Sequence, residues 1–253
     1  MITASLATYP PRRAFLQGVV DALAPQVDRL NLVLNQYDAV PEELVLPANV
    51  YAMIPDQDYK DVGKFYPDVT GATYVLFVDD DVIYPVDFIA RTVASYEALG
   101  LPHAVAGYHC STYRRPPLAL SVKAIKAQLR FWLSPRHIAR FRRVNHFEET
   151  STTPVYVDQV ATNAAITRGA DVPPLSYMQG SQKFVDVRLA KWCHANGVPM
   201  VSLPRAAGWL GLQTVEESII MGFTSRHHQH VADEIRTYAF KSPKVGTSVG
   251  PGA

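Results

Sequence analysis

The chain has 253 residues, a formal net charge of +1, an apolar fraction of 48% and a charged fraction of 19%. These values are ordinary for a globular protein built as one large α/β domain or two small ones. No apolar run reaches the roughly 18 residues that span a bilayer, and near-neutral charge without a binding motif argues against nucleic acid as a partner.

The opening "MITASLATYPPRR" lacks the basic start and apolar stretch of a signal peptide, and its alternation predicts a first core strand over "ITASLAT". "RRAFLQGVVDALAPQ" has apolar residues at helical spacing. "RLNLVLNQY", "NVYAMIP" and "YVLFVDD" read as the second, third and fourth strands. "PVDFIARTVASYEALG" is a helix closed by Gly100, and "HAVAGYHC" a fifth strand. Such alternation predicts a parallel sheet with helices on both faces. Ligands of open α/β sheets bind at the carboxyl ends of the strands. Thr8, Tyr9, Asn35, Gln36 and Asp79 to Asp81 fall there.

The second half is less regular. "LSVKAIKAQLRFWLSPRHIARFRRVNHF" predicts one or two amphipathic helices broken at Pro135, and "PVYVDQVATNAAIT" one or two strands. "SQKFVDVRLAKWCHANG" is a helix ending at Gly197, and "VPMVSLP" a last strand. No linker splits the chain, so a single domain over 1–240 is expected, with 1–110 and 111–240 as its halves. The small, polar, Gly/Pro-rich end, 241–253, reads as a disordered tail. Cys110 and Cys193 lack metal-type spacing and suit free thiols in a reducing cytoplasm.

Charge is unevenly spread. Residues 98–147 contain nine Lys or Arg and no acid, leaving 15 basic against 23 acidic residues elsewhere. Phe131, Trp132, Ile138 and Phe141 interleave these cations. The segment 113–147 fits a polyanionic acceptor glycan, an anionic membrane surface, or a second subunit.

The densest signal is "VLFVDDD", three carboxylates at the end of an apolar strand. Adjacent carboxylates repel, and desolvating one costs several kcal/mol unless it is compensated. Residues two apart in extended chain point the same way, so Asp79 and Asp81 are expected to share a cleft while Asp80 points elsewhere. Carboxylate oxygens suit Mg²⁺ or Mn²⁺, which also bind substrate phosphates. The competing account is a solvated loop ahead of a helix N-cap.

A strand ending in Asp-x-Asp within a nucleotide-binding half, followed by a looser half, resembles the GT-A glycosyltransferases. The order of motifs is most similar to family 2-like enzymes that build bacterial capsules and other surface polysaccharides. The resemblance covers roughly residues 2 to 212 and rests on "TASLATYPPRR", "DVGKFYP", "VDDDVIYP" and "FVDVRLAKW". It implies a Rossmann-like half with a mostly parallel sheet fused to a less regular acceptor half. By the same likeness, Thr8, Tyr9, Arg12, Asn35, Asp61, Lys64, Asp79 and Asp80 would meet the nucleotide sugar. Asp79 and Asp81 would hold Mn²⁺ or Mg²⁺, with His228 of "SRHHQH" as a further ligand or part of a solvated turn. Asp186 would be the general base of an inverting transfer, although the family's usual Glu-Asp is Val185-Asp186 here. Asp158 competes for that role, with Glu148 and Glu149 behind it. Arg205 and Trp209 are acceptor-side candidates.

The implied activity is transfer of a sugar from a UDP-linked donor to a glycan or lipid-linked acceptor, in the cytoplasm or at the inner membrane face. The rivals are a non-catalytic nucleotide- or glycan-binding module of the same fold and an Asp-dependent phosphohydrolase.

Overall fold

A computed structural model describes residues 1–116, 118–133, 138, 141–213, 228–242 and 244–250. β1 (Ile2–Thr8) leads through one 3₁₀ turn, Pro10–Arg12, into α1 (Arg13–Leu23). There follow β2 (Arg29–Leu34), β3 (Val50–Met53), a 3₁₀ segment Lys60–Phe65, β4 (Tyr74–Val78), β5 (Val82–Ile83) and α2 (Phe88–Glu97). The later elements are β6 (Val105–Gly107), β7 (Cys110–Tyr113), α3 (Val122–Leu133), β8 (Arg142–Asn145), β9 (Val155–Tyr156), β10 (Gln159–Val160) and β11 (Ala164–Arg168). α4 (Leu175–Met178), α5 (Val185–Ala195), β12 (Met200–Ser202), β13 (Gly211–Leu212) and α6 (Gln229–Arg236) complete the order.

Among the described residues the central sheet has eight strands in the order β3-β2-β1-β4-β11-β6-β12-β9. Pairings among β3, β2, β1 and β4 are parallel, while β11 runs antiparallel to both β4 and β6. Alternation along each strand feeds two cores. Leu76 and Val78 of β4 face a core with Leu16, Val20 and Leu23 of α1 and Phe88 and Tyr96 of α2. Val75 and Phe77 face the other, with Leu189, Ala190 and Cys193 of α5 and Ala232 and Ile235 of α6. Each fully buried Leu, Val or Phe contributes about 1.5–3 kcal/mol, so the sheet is anchored from both sides. No helix among the described residues is long and apolar enough to cross a membrane.

Three expectations change. "RRVN" is a strand, not the end of a helix, because it pairs antiparallel with β7, a partner that local periodicity does not register. "PVYVDQVATNAAIT" supplies three short strands, β9, β10 and β11, in two different sheets. Residues 244–250 are not loose: the Gly246 N–H donates to the Tyr156 carbonyl, Tyr156 N–H to Thr247, and Val249 is buried. Pro135 and residues 251–253 lie outside the described residues.

Candidate functional site

Register brings the first polar residues together. β1 and β4 pair in parallel up to Leu6 opposite Val78, and just past that last pair Thr8 and Asp80 come within reach of each other. The Thr8 hydroxyl donates to Asp80 Oδ2 at 2.6 Å. β1 and β2 align Thr8 with Leu34, and the Asn35 amide then donates to the Thr8 carbonyl at 2.9 Å. The Asn35 side chain also donates to the carbonyls of Thr8 and Lys60 and accepts from the Tyr59 N–H, tying both strand ends to the Lys60–Phe65 turn. Gly63 of that turn is needed for close approach, since a Cβ there would stand 3.2 Å from both Ala7 Cβ and Asn35 Nδ2.

A cavity of about 350 Å³ opens at these carboxyl ends, and its wall includes Thr8, Tyr9, Arg12, Asn35, Asp61, Lys64 and Asp79 to Asp81. Asp80 therefore does not point away. β4 ends at Val78 and Asp79–Asp81 bend into β5, so strand alternation no longer applies.

The three carboxylates find protein partners. Lys64, 2% exposed, forms an ion pair with Asp79 and donates to the Thr162 carbonyl at 2.8 Å. Arg12 Nη2 lies 3.3 Å from Asp81 Oδ2. Burial opposes the Lys64 charge, but Asp79, together with Asp186 and Asp61, outweighs it and raises the ammonium pKa. Burial likewise opposes Arg12, and Asp80 and Asp81 reverse the effect. Arg12 Nη1 is buried without a hydrogen-bond partner. Burial pushes Asp80 up to about 6 against the Thr8 bond, with Asp79 adding to the rise. Asp81 is raised by burial and by Asp79, while Arg12 and Lys64 pull it down. Tyr84 locks the turn, accepting from the Asp79 N–H at 2.8 Å and donating to the Asn163 carbonyl at 2.6 Å.

The rest of the wall was not legible in the sequence. Asp58, Lys60 and Lys183 join it, beside Gln36, so that among the described residues five carboxylates and four cations line one space. Gln36, Lys60 and Lys183 have φ of 61°, 52° and 73°, left-handed conformations that favour glycine. Each is tied to a carboxylate. Asp58 accepts from the Gln36 side chain and the Lys60 amide, and both Asp61 oxygens accept from the Lys183 amide. Strain of this kind costs about 1–3 kcal/mol per residue and collects at functional sites. Burial raises Asp61 to about 6 despite the Lys183 bond.

Asp186 lies just behind the cavity at the start of α5. Its Oδ1 accepts from the Thr162 amide at 2.9 Å and the Thr162 hydroxyl at 3.0 Å, linking it through Thr162 to Lys64. Burial raises its pKa against those bonds. The other candidates stand apart from the wall. Asp158 is buried behind β7, where Oδ2 accepts from the Tyr113 amide at 2.7 Å. Arg205 is spent on the carbonyls of His146, Phe147 and Leu203. Trp209 packs on Phe88 and Tyr108 and donates to Asp87, so its ring serves the core rather than the cavity. Glu148 pairs with His146. His228 precedes α6 with its ring 5.5 Å from that of His230, whose own ring meets Phe184 at 5.2 Å, next in sequence to Lys183 of the cavity wall. His227 lies outside the described residues.

Among the described residues no three His, Cys, Asp or Glu side chains converge as a metal cage. Asp79 and Asp81 nonetheless offer the right donors: half-buried carboxylates on a cavity wall. Mg²⁺ and similar ions are commonly held by one or two carboxylates, with waters and substrate phosphates filling the remaining positions. The residues fit such an ion as a ligand-completed site, not as a preformed one.

No protein family and no curated protein matches the sequence. Solved structures do. A mycobacterial protein superposes with a TM-score of 0.51 at 14% identity, over 96% of this chain and 76% of the other. Glucosyl-3-phosphoglycerate synthase from Mycobacterium tuberculosis, crystallised with phosphoglyceric acid, matches at 0.51 and 13% identity, over 96% and 81%. The fold is thus the α/β, GT-A-like architecture expected from the sequence, with a large, mostly parallel central sheet.

Proposed function

We propose that this chain is a metal-dependent glycosyltransferase that moves a sugar from a UDP-linked donor to a glycan or lipid-linked acceptor in bacterial surface polysaccharide assembly. One observation carries the reading: a charged cavity at the carboxyl ends of β1, β2 and β4, in a fold shared with a sugar-transferring synthase. A nucleoside diphosphate leaving group needs positive charge, and Arg12, Lys60, Lys64 and Lys183 stand on the wall with one Arg12 donor unused. Asp79 and Asp81 would hold Mn²⁺ or Mg²⁺, which supplies further charge against the departing diphosphate. The synthase that shares the fold was crystallised with a small phosphorylated acid, and an anionic acceptor group of that kind would meet Lys60 or Lys183 here.

Asp186 is the proposed general base of an inverting transfer. Its burial raises its proton affinity, and a positioned carboxylate contributes about 10²–10⁴-fold. Asp186→Asn should lower turnover at least about 10²-fold while donor affinity hardly moves. Asp61, on the wall and near 6, is the carboxylate to test beside it. The enzyme would work in the cytoplasm or at the inner face of the membrane.

The decisive experiment is calorimetry of UDP and a UDP-sugar panel, with and without Mn²⁺, on the wild type and Asp81→Ala. Mn²⁺-dependent binding lost in the variant supports the reading. Unchanged Mn²⁺-dependent affinity in Asp81→Ala removes the metal site, and binding without turnover across acceptors leaves a nucleotide-binding module.

A further inference from the structure

The surface around α3 carries a feature that the cavity does not explain. Val122, Ile125, Leu129 and Trp132 are spaced by three, four and three residues, which places them on one helix face. They are between 48% and 71% exposed, and Leu118 and Leu120, just ahead of the helix, are more exposed still. Leu118, Leu120, Ile125, Leu129 and Trp132 line a shallow groove. A contiguous apolar surface of this kind marks an interaction site in a folded protein.

The helix is already held to the protein by a different face. Ala124 is buried, Gln128 donates to the Pro116 carbonyl, and the Phe131 ring packs on Phe141 and Phe240. The outward apolar stripe is therefore not the docking face of α3 on its own core. Lys123, Lys126 and Arg130 repeat the same three-and-four spacing on a neighbouring stripe and are exposed. None of the three forms an ion pair with a described carboxylate, and residues 98–147 contain no acid.

We infer that α3 docks in the plane of an anionic phospholipid surface, its apolar stripe entering the acyl boundary and its cations meeting the headgroups. A protein partner would need acidic residues ringed around an apolar centre. A glycan would meet the cations and leave four large apolar side chains in water. An anionic bilayer answers both stripes at once, because basic amphipathic helices with Trp and Leu on one face partition there. The inference rests on this surface alone and stands whether or not the cavity binds a nucleotide sugar.

The test is co-sedimentation of the full chain with phosphatidylcholine vesicles and with vesicles containing phosphatidylglycerol. Binding is expected only to the anionic vesicles and should weaken as salt rises. Lys123→Gln/Lys126→Gln/Arg130→Gln should lower partitioning about 100-fold at low salt. Leu129→Ser/Trp132→Ser should also release the protein while thermal unfolding stays at the wild-type midpoint, since both side chains are exposed. Trp132 fluorescence should shift to the blue on vesicle addition. Several results overturn the inference: no sedimentation with anionic vesicles, equal sedimentation of the wild type and the Leu129/Trp132 variant, or a dimer that the apolar substitutions dissociate.

Discussion

The cavity wall and the surface of α3 are both rich in charge, yet they treat it in opposite ways. In the cavity, Lys64 and Arg12 are buried and matched to Asp79 and Asp81. On α3, Lys123, Lys126 and Arg130 stand in water without a described carboxylate beside them. Internal pairing makes the cavity part of the protein's stability, whereas the α3 cations are left for something outside the chain. A charge cluster read from sequence alone does not distinguish these cases, because burial decides which one applies.

The contrast breaks most readily at Lys64. Lys64→Met leaves Asp79 without its partner and removes a donor from the Thr162 carbonyl. Removing one member of a buried pair is strongly destabilising, and here, with Asp79 partly in solvent, a loss of about 3 kcal/mol is expected in urea unfolding. The double variant Lys64→Met/Asp79→Leu should recover most of it. A single-variant loss below about 0.5 kcal/mol would mean that the pair behaves like a surface ion pair.

Asn35→Ala comes next. It leaves the Tyr59 N–H without its side-chain acceptor and removes the side-chain bonds to the carbonyls of Thr8 and Lys60, while the backbone bond from residue 35 to Thr8 stays. About 2 kcal/mol should be lost, and donor binding should weaken because the Lys60–Phe65 turn is no longer tied to the strand ends. Full stability with intact binding would show that the turn holds itself.

A smaller effect separates the cavity from α3 by pH. Asp61, Asp80 and Asp158 each rise from 3.8 to about 6 on folding, with burial as the main cause. The folded state then holds protons more tightly than the unfolded one. Their contribution is fully present below pH 4 and is lost as pH rises through 6. These three carboxyls should therefore lower stability between pH 4 and 6, with Asp80 responsible for about 1–2 kcal/mol, while the buried His109 imidazole, lowered from 6.5 to about 3, works in the opposite direction. Asp80→Asn should flatten that part of the slope in chemical denaturation at several pH values, and an unaltered slope would remove Asp80 from the account. Lys126→Gln should do least: within about 0.5 kcal/mol of wild type at every pH, as for any unpaired surface charge.

The first half of the fold was largely legible. Alternation and helical spacing located β1, α1, β2, β4 and α2, and Thr8, Asn35 and Asp79 to Asp81 were placed by strand-end reasoning alone. What escaped depended on contacts between distant segments. The partnership of Lys64 with Asp79, the left-handed backbones of Gln36, Lys60 and Lys183, and the arrival of Lys183 from the second half leave no periodic trace. β8 was read as helix for the same reason, since only β7 makes it a strand. Composition misled at 244–250, where small polar residues are held against β9 by backbone bonds that do not depend on side-chain type.

The reversed direction of β11 has a consequence for how the molecule assembles. Because it runs against β4, its beginning arrives at the carboxyl ends of the first strands and delivers the carbonyls of Thr162 and Asn163 to Lys64 and Tyr84. Those bonds close loops of 98 and 79 residues. Long loops are slow to close, so this edge of the cavity should form late in folding, after the local β1-α1-β2 unit is in place. A nascent chain that has emerged only as far as β7 would carry the Asp cluster and its lysine but have no carbonyls to seat that lysine. The cavity is then a property of the finished chain, and half-made protein should be unable to hold a ligand there.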